Sequence, residues 1–218
     1  MVEQLLAHVE PFRALSVAER QRIAAASTEK RYGKGETIFR EGEPAEAVWI
    51  VKEGRVHLMK FSSAGQASTT CVMAPKELFC CLPAMDRRPY PTDAVAAAPT
   101  VLIRIPMATF HELLGKHPLF NQQAICLFCD RLRQVEGKGC AIYDSVERRI
   151  ARVLLALQKK FGATIPLTRQ EIAELAGTTV ETAIRVLSHM KTRQLLTSNR
   201  GSITLLHTAK LQQLIDQA

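Results

Sequence analysis

The sequence has no long hydrophobic run and no recognisable secretion signal. No apolar stretch approaches the ~18 residues that a membrane-spanning helix needs, although 47% of the 218 residues are hydrophobic. The opening residues, MVEQLLAHVE, lack a basic start followed by an apolar core, which a secretory signal peptide would have. The sequence therefore predicts a globular cytoplasmic protein of one or two domains that makes no membrane contact.

Acidic residues are scarce towards the end of the chain. From Glu147 onwards there are 11 Lys and Arg against 5 Asp and Glu, a balance of +6, whereas the first 146 residues hold 18 against 16. A basic final third behind a nearly neutral body fits a domain that contacts nucleic-acid phosphates, attached to a second domain with another task.

Histidine is scarce between Lys30 and Ile105, where short apolar runs alternate with Gly, Pro and Ser. Runs such as 37–39, 48–51 and 56–59 predict a β-sandwich or β-roll. The catalytic metal site of a cupin-like jelly roll would need clustered histidines and carboxylates on neighbouring strands. His57 is the one histidine of this region. A cupin-like metalloenzyme is thus the disfavoured alternative, and the protein is not expected to be an enzyme.

Helical patterns flank this β region. Residues 1 to about 28 are predicted to be helical, with Ser16 and Glu19 as a capping box. A helix starting near Phe110 is predicted to be interrupted by Pro118, and a longer helix to run from about Asn121 to Tyr143. Its apolar residues recur at steps of three and four, which is a heptad-like seam. The seam residues are Ile125, Phe128, Leu132, Val135 and Ile142.

Residues 167–196 predict two short helices joined by a tight turn. Thr168 can cap the first helix, Gly177 suits its end, and Thr178 with Glu181 has the spacing of a capping box for the second. Further helices are predicted at 144–161 and from about 208. A hairpin turning at 199–201 is predicted between them.

The second helix presents residues that suit the DNA major groove. Glu181 can accept from the cytosine amino group, and Arg185 can donate twice to guanine. Val180 and Ile184 could meet a thymine methyl group. These four are the predicted base-reading residues. The predicted phosphate contacts are Thr168, Arg169, Thr179 and Ser188.

Two stretches carry a family resemblance. TRQEIAELAG–TTVETAIRVLSHM resembles the helix-turn-helix of the cyclic-AMP receptor protein/FNR (CRP/FNR) family of bacterial transcription regulators, and GKGETIFREGEPAEAVWIVKEGRVHLMK resembles its β-roll. The resemblance implies an α+β fold with three parts. These are a double-jelly-roll, cyclic-nucleotide-binding-like sensor domain at 1–118, a dimerisation helix at 119–143, and a winged helix-turn-helix at 144–218. It further implies a homodimer on a palindromic operator and RNA polymerase as a partner.

The cyclic-nucleotide cassette of the family is poorly matched. Nucleotide-binding members have a Gly-Glu pair and then an Arg-Ser/Thr pair that neutralises the cyclic phosphate. In PKELFCCLPAMDRRPYPTDAVA, Lys76 stands at the Gly and Pro91–Thr92 at the Arg-Ser pair. Proline offers neither a cation nor an N–H donor. Cyclic AMP is therefore an unfavoured effector, and a cyclic-nucleotide-responsive regulator is the alternative.

Several other effectors stay open. The first cysteine is Cys71, so the N-terminal iron–sulfur ligation of the family's oxygen sensors is not available. Cys80, Cys81, Cys126 and Cys129 are candidates for zinc, an iron–sulfur centre or a thiol switch, and core packing is the competing role for each. Haem is a further alternative. Its candidate ligands are His57, His111, His117, Met85 or a cysteine. An unidentified small molecule, or none, completes the set.

Overall fold

The computed structural model describes residues 1–61, 67–140 and 144–216, and for residues 67 and 134–140 it describes only the backbone. These residues fall into two compact units, Met1–Val135 and Glu136–Ala218. The predicted α+β class is confirmed, because the first unit is built around paired sheets and the second around helices with a small sheet. None of the helices in the described ranges combines the length and apolar composition that crossing a membrane requires.

The first 26 residues form short helical pieces rather than one helix. They are α1 (Val2–Leu6), a 3-10 helix (Phe12–Ala14) and α2 (Val17–Ala26). A longer helix is prevented by Pro11, which has no N–H to donate, and by Ser16, which starts α2. The Ser16 capping box is confirmed: Ser16 Oγ accepts from Glu19 N–H at 3.3 Å, and the Glu19 carboxylate accepts from Ser16 N–H at 2.7 Å.

The predicted β-roll is built from eight strands. The strands are β1 (Thr28–Tyr32), β2 (Thr37–Phe39), β3 (Ala47–Glu53), β4 (Val56–Phe61), β5 (Ala67–Met73), β6 (Leu78–Phe79), β7 (Asp93–Ala96) and β8 (Thr100–Pro106). They form two four-stranded antiparallel sheets, in the orders β1-β8-β3-β6 and β2-β7-β4-β5.

The sheet that contains β3 separates two buried clusters. Trp49 and Val51 face the roll interior, whereas Val48 and Ile50 pack against the surrounding helices. This alternation follows from the two-residue period of a strand, and burial on both faces explains why β3 reads as an unbroken apolar run. The interior cluster is rich in aromatic rings.

Helix α3 (Leu82–Asp86) follows β6, and helices α4 (Met107–Lys116) and α5 (Pro118–Cys140) follow β8 one after the other. The long helix starts at Pro118 rather than near Asn121, because proline is well suited to the first position of a helix. Its backbone stays helical through Gly137 and Gly139 up to Cys140. The predicted extension to Tyr143 lies outside the described residues.

The second unit carries α6 (Val146–Phe161), β9 (Thr164–Ile165), α7 (Arg169–Ala176), α8 (Val180–Thr192), β10 (Leu196–Asn199), β11 (Ser202–Leu205) and α9 (Thr208–Asp216). The predicted hairpin is β10–β11. The third strand of its sheet, β9, was not predicted, and the strand order is β10-β11-β9. Helices α7, α8 and α9 all pack against α6, so α6 supports both helices of the predicted pair, α7 and α8.

Candidate nucleic-acid interface and effector region

Helix α7, the first of the pair, is fixed by local sequence at both of its ends. At the start of α7, Thr168 Oγ1 accepts from Glu171 N–H at 3.2 Å, and the Glu171 carboxylate accepts from Thr168 N–H at 2.6 Å. At its end, Gly177 takes the left-handed conformation with φ 60°, where glycine has no steric penalty. The predicted helix-turn-helix is therefore present.

The cap of α8 is Thr179, not Thr178 as the sequence predicted. The N–H of Thr178 donates to Ala173 C=O at 3.0 Å and closes the end of α7, so Thr178 belongs to the turn. Thr179 Oγ1 instead accepts from Thr182 N–H at 3.2 Å. The Thr179 hydroxyl donates to Thr182 Oγ1 at 3.1 Å. The phosphate contact suggested for Thr179 stays a prediction.

The two sides of α8 differ as the sequence predicted. Ala183, Leu187 and Met190 are buried, while Val180 is half-buried. The exposed residues of the opposite side are Glu181, Ile184, Arg185 and Ser188. This side of the helix is available to a partner.

The chemistry of the exposed face suits base edges. A hydrogen bond from its own backbone N–H is the largest cause that lowers the pKa of Glu181, so its carboxylate stays ionised as an acceptor. Arg185 Nη2 donates to Thr182 Oγ1 at 3.3 Å. Sequence reasoning missed Thr182 as a partner of Arg185, although the three-residue spacing on a helix is the signal that could have found it.

The other predicted phosphate contacts lie at the surface. Thr168 and Arg169 are exposed at the start of α7, and Arg169 Nη2 donates to Ser198 Oγ at 3.2 Å. Arg169 thereby connects α7 with β10 of the wing, which is the hairpin formed by β10 and β11. Arg200, at the hairpin turn, is exposed. Cationic side chains thus lie at both α7 and the wing.

Two of the seam residues on α5 are exposed apolar side chains. Ile125 is 49% exposed and Leu132 is 59% exposed, seven residues apart. Phe128 between them is half-buried and packs against the cluster between the roll and its helices. The side chain of Val135 and all of Ile142 lie outside the described residues.

The cassette has the backbone form of a turn but a different set of side chains. Lys76 adopts a left-handed φ of 71° at the place of the family's glycine. Glu77 Oε2 accepts from Ala74 N–H at 2.7 Å. Tyr90, next to Pro91, stacks on Phe39 with ring centroids 3.8 Å apart, and its hydroxyl accepts from Trp49 Nε1–H at 3.2 Å. Aromatic side chains therefore fill this end of the roll interior.

The candidate cysteines do not converge on one site. Cys80 is buried in the roll interior, and Cys81 in the cluster on the other side of the sheet. Cys126 and Cys129 are exposed on α5. Within the described ranges, no group of three or more His, Cys, Asp or Glu residues could hold a metal ion. Cys80 adopts a left-handed φ of 61° and Cys81 is the N-cap residue of α3, so the two side chains enter different clusters. The role of the four cysteines stays a prediction.

The haem-ligand candidates are also dispersed. His57 is buried on β4, whereas His111 Nε2 hydrogen-bonds Ala84 C=O at 2.9 Å. His117 Nδ1 lies 3.1 Å from Glu19 Oε1, and Met85 is exposed on α3.

Comparisons with known proteins agree with both units. Residues 29–117 match the cyclic nucleotide-binding domain family, and residues 148–214 match the Crp-like helix-turn-helix domain family. The chain is 27% identical over 185 residues to the Cyclic AMP receptor protein of Thermus thermophilus, covering 84% of this chain and 86% of that protein. It is 27% identical over 187 residues to the transcriptional activator protein anr of Pseudomonas aeruginosa, covering 82% and 76%. The structure of FixK2 from Bradyrhizobium japonicum superimposes with a TM-score of 0.80 at 25% identity, covering 88% of this chain and 98% of that chain.

A cyclic-nucleotide-binding-type roll followed by a winged helix-turn-helix defines a DNA-binding transcription regulator. The chain belongs to the CRP/FNR family.

Proposed function

We propose that the protein is a homodimeric, sequence-specific transcription regulator that binds a palindromic operator. The observation that carries this proposal is the exposed face of α8, where Glu181 and Arg185 stand on a helix whose other side is buried. Arg185 would read guanine and Glu181 cytosine, with Val180 and Ile184 near thymine methyl groups. Thr168, Arg169, Thr179 and Ser188 would contact phosphates. RNA polymerase is proposed as a further partner.

The dimer is proposed to form along α5. Ile125 and Leu132 share one heptad position and are exposed. Pairing of two such helices would bury both side chains, whereas a single chain leaves them in water. A two-fold axis along this helix would present two recognition helices to the two halves of a palindrome. An effector that shifts the paired helices would then change the spacing of the recognition helices.

Selection from a pool of random duplexes tests the DNA assignment. The full chain should enrich a palindrome, and analytical ultracentrifugation should give two chains per duplex. A variant carrying Ile125→Glu and Leu132→Glu should sediment as a monomer and lose the palindrome, with the roll and the helix-turn-helix still folded. Enrichment of no sequence, or binding by a single chain, would contradict the proposal.

The effector is proposed to be something other than a cyclic nucleotide. Supporting this, Lys76 and Pro91–Thr92 replace the residues that would hold the cyclic phosphate, and aromatic rings occupy the adjacent interior. Protein purified without oxygen should be examined by absorption spectroscopy and by elemental analysis for iron and zinc. A Soret band identifies haem. Iron with sulfide, or zinc, that is lost in Cys126→Ser and Cys129→Ser variants identifies a cysteine-held centre.

A cyclic-nucleotide-responsive regulator is the second candidate. It is favoured by the match of residues 29–117 to the cyclic nucleotide-binding domain family. Titration calorimetry with cyclic AMP separates the two candidates. Micromolar binding that also strengthens operator affinity would replace the first proposal for the effector, whereas no heat at millimolar nucleotide would support it.

A further inference from the structure

Arg149, in the first turns of α6, contacts two separate parts of the second unit. Its Nε donates to Ala176 C=O at 3.0 Å, and its Nη2 donates to Gly177 C=O at 3.1 Å. The remaining nitrogen, Nη1, donates to Asp144 C=O at 3.5 Å. One guanidinium therefore joins the turn of the helix-turn-helix to Asp144, two residues before α6 begins.

The two carbonyls in the turn need a donor of this shape. Ala176 ends α7, and the last carbonyls of a helix have no partner within the helix. They also carry the negative end of the helix dipole, which favours a cation. The planar guanidinium can satisfy two neighbouring carbonyls at once, whereas a lysine ammonium offers a single point of charge. Arg149 thus fixes the geometry of the turn from which α8 leaves.

The other end of the contact lies where the chain comes from α5. Asp144 is the first described residue after positions 141–143, which directly follow α5. Its carboxylate lies 3.0 Å from Arg152 Nε and 3.8 Å from Arg148 Nη1. The side chain is 16% exposed, so Asp144 is anchored to α6. Arg149 differs from these two arginines because it also reaches the turn.

We propose that Arg149 is a positioning residue that holds the start of the recognition helix α8 in a fixed orientation to α6 and to Asp144. The inference rests on the proposed function, because it concerns how two such helices meet one operator. Losing the guanidinium would leave Glu181 and Arg185 able to read bases. The spacing between the two half-sites would then be less strictly selected.

The test uses full-length protein and the palindrome enriched by the wild type. Three fluorescent duplexes carry the enriched spacing, or one base pair more or less between the half-sites. Binding is compared for wild type, Arg149→Lys, Arg149→Met and the control Arg152→Met. The control removes a cation from the same helix and from the same Asp144, but not from the turn. Thermal unfolding of each protein is recorded alongside.

We expect Arg149→Lys and Arg149→Met to lose about tenfold in affinity at the enriched spacing. They should also lose most of the preference over the altered spacings, while base preference within each half-site is kept. Arg152→Met should retain the spacing preference. A lower melting temperature with wild-type spacing preference would overturn the proposal and leave Arg149 a purely structural residue.

Should neither Arg149 variant fold, hydrogen exchange of the wild type decides. Residues 144–149 and 174–179 should gain protection together when the operator is added, and independent responses would overturn the inference. Failure of the wild type to select any palindrome would instead reject the proposed function.

Discussion

Thr182 Oγ1 accepts a hydrogen bond from the Arg185 guanidinium at 3.3 Å, and it accepts another from the Thr179 hydroxyl at 3.1 Å. The cap of α8 is thereby linked to Arg185, the proposed base-reading residue six positions later. A long arginine side chain that is already held along the helix loses less conformational freedom on binding DNA. The hydroxyl of Thr182 thus helps to prepare Arg185 for recognition.

Thr182→Val should weaken operator binding without disturbing the fold. Valine keeps the shape of threonine but removes the hydroxyl, while the backbone N–H that Thr179 caps remains. We expect a loss of ~1 kcal/mol, concentrated at the base pair that Arg185 reads. Thr182→Ser, which keeps the hydroxyl, is the control and should bind nearly as wild type. Anisotropy titrations on the operator and on single-base variants measure both, and equal losses for the two variants would contradict this role.

Arg185→Ala and Arg169→Ala should differ in kind. Removing Arg185 should cost ~1–3 kcal/mol on the operator and relax specificity at one position. Removing Arg169 should weaken binding to all sequences alike and reduce the dependence of affinity on salt concentration, because one phosphate contact is lost. Sequence-independent losses from both variants would remove Arg185 from base readout.

Short sequence signals correctly predicted several turns and helix ends of the DNA-binding unit. The Thr168 cap, the left-handed Gly177 and the hairpin at 199–201 depend on residues within a few positions of one another, and the structure confirms all three. The Thr178 prediction failed at the same scale, since two consecutive threonines offer two possible caps. Thr179 is the cap because the N–H of Thr178 donates to the Ala173 carbonyl and so belongs to the end of α7.

Interactions between distant segments were harder to predict. The two-residue strand β9 has no pattern of its own and exists because it pairs with β11. In the sequence, Arg149 is one of several basic residues of a charged helix. Its contact with the Ala176 carbonyl is known only from the structure. Cys80 and Cys81 are neighbours in the sequence, but they lie in different buried clusters. Such contacts depend on topology, which periodicity does not specify.

Gly54→Ala should destabilise the roll far more than Gly35→Ala. Both glycines have positive φ, 81° and 87°, so each substitution carries a similar backbone strain. A Cβ at Gly54 would lie 2.4 Å from Pro99 O and 2.7 Å from Thr100 Cα, whereas nothing lies within 4 Å at Gly35. We expect an extra cost of ~1–3 kcal/mol at Gly54. Urea unfolding of both variants measures it, and equal midpoints would disprove the close contact.

The cysteines should divide by reactivity in the native protein. Cys126 and Cys129 are exposed, and Cys80 and Cys81 are buried. Brief treatment of the monomeric Ile125→Glu, Leu132→Glu variant with iodoacetamide at neutral pH, followed by peptide mass spectrometry, should label the first pair and spare the second. Labelling in urea should then reach all four. Rapid native labelling of Cys80 or Cys81 would show that the roll opens more readily than its packing indicates.

Burial should also make stability depend on pH through Cys81. It raises the pKa of this thiol from 9.0 to about 11, since a buried thiolate is poorly solvated. Between these two values the unfolded chain releases the proton while the folded chain keeps it, so the free energy of unfolding falls as pH rises from 9 to 11. Cys81→Ala should show a shallower fall over this range, at the expense of a smaller core side chain. Cys129→Ser, which alters an exposed thiol, should keep the wild-type slope. Urea midpoints at about pH 8, 9, 10 and 11, which span both pKa values, give the comparison. Identical slopes for wild type and Cys81→Ala would show that another group controls the alkaline transition.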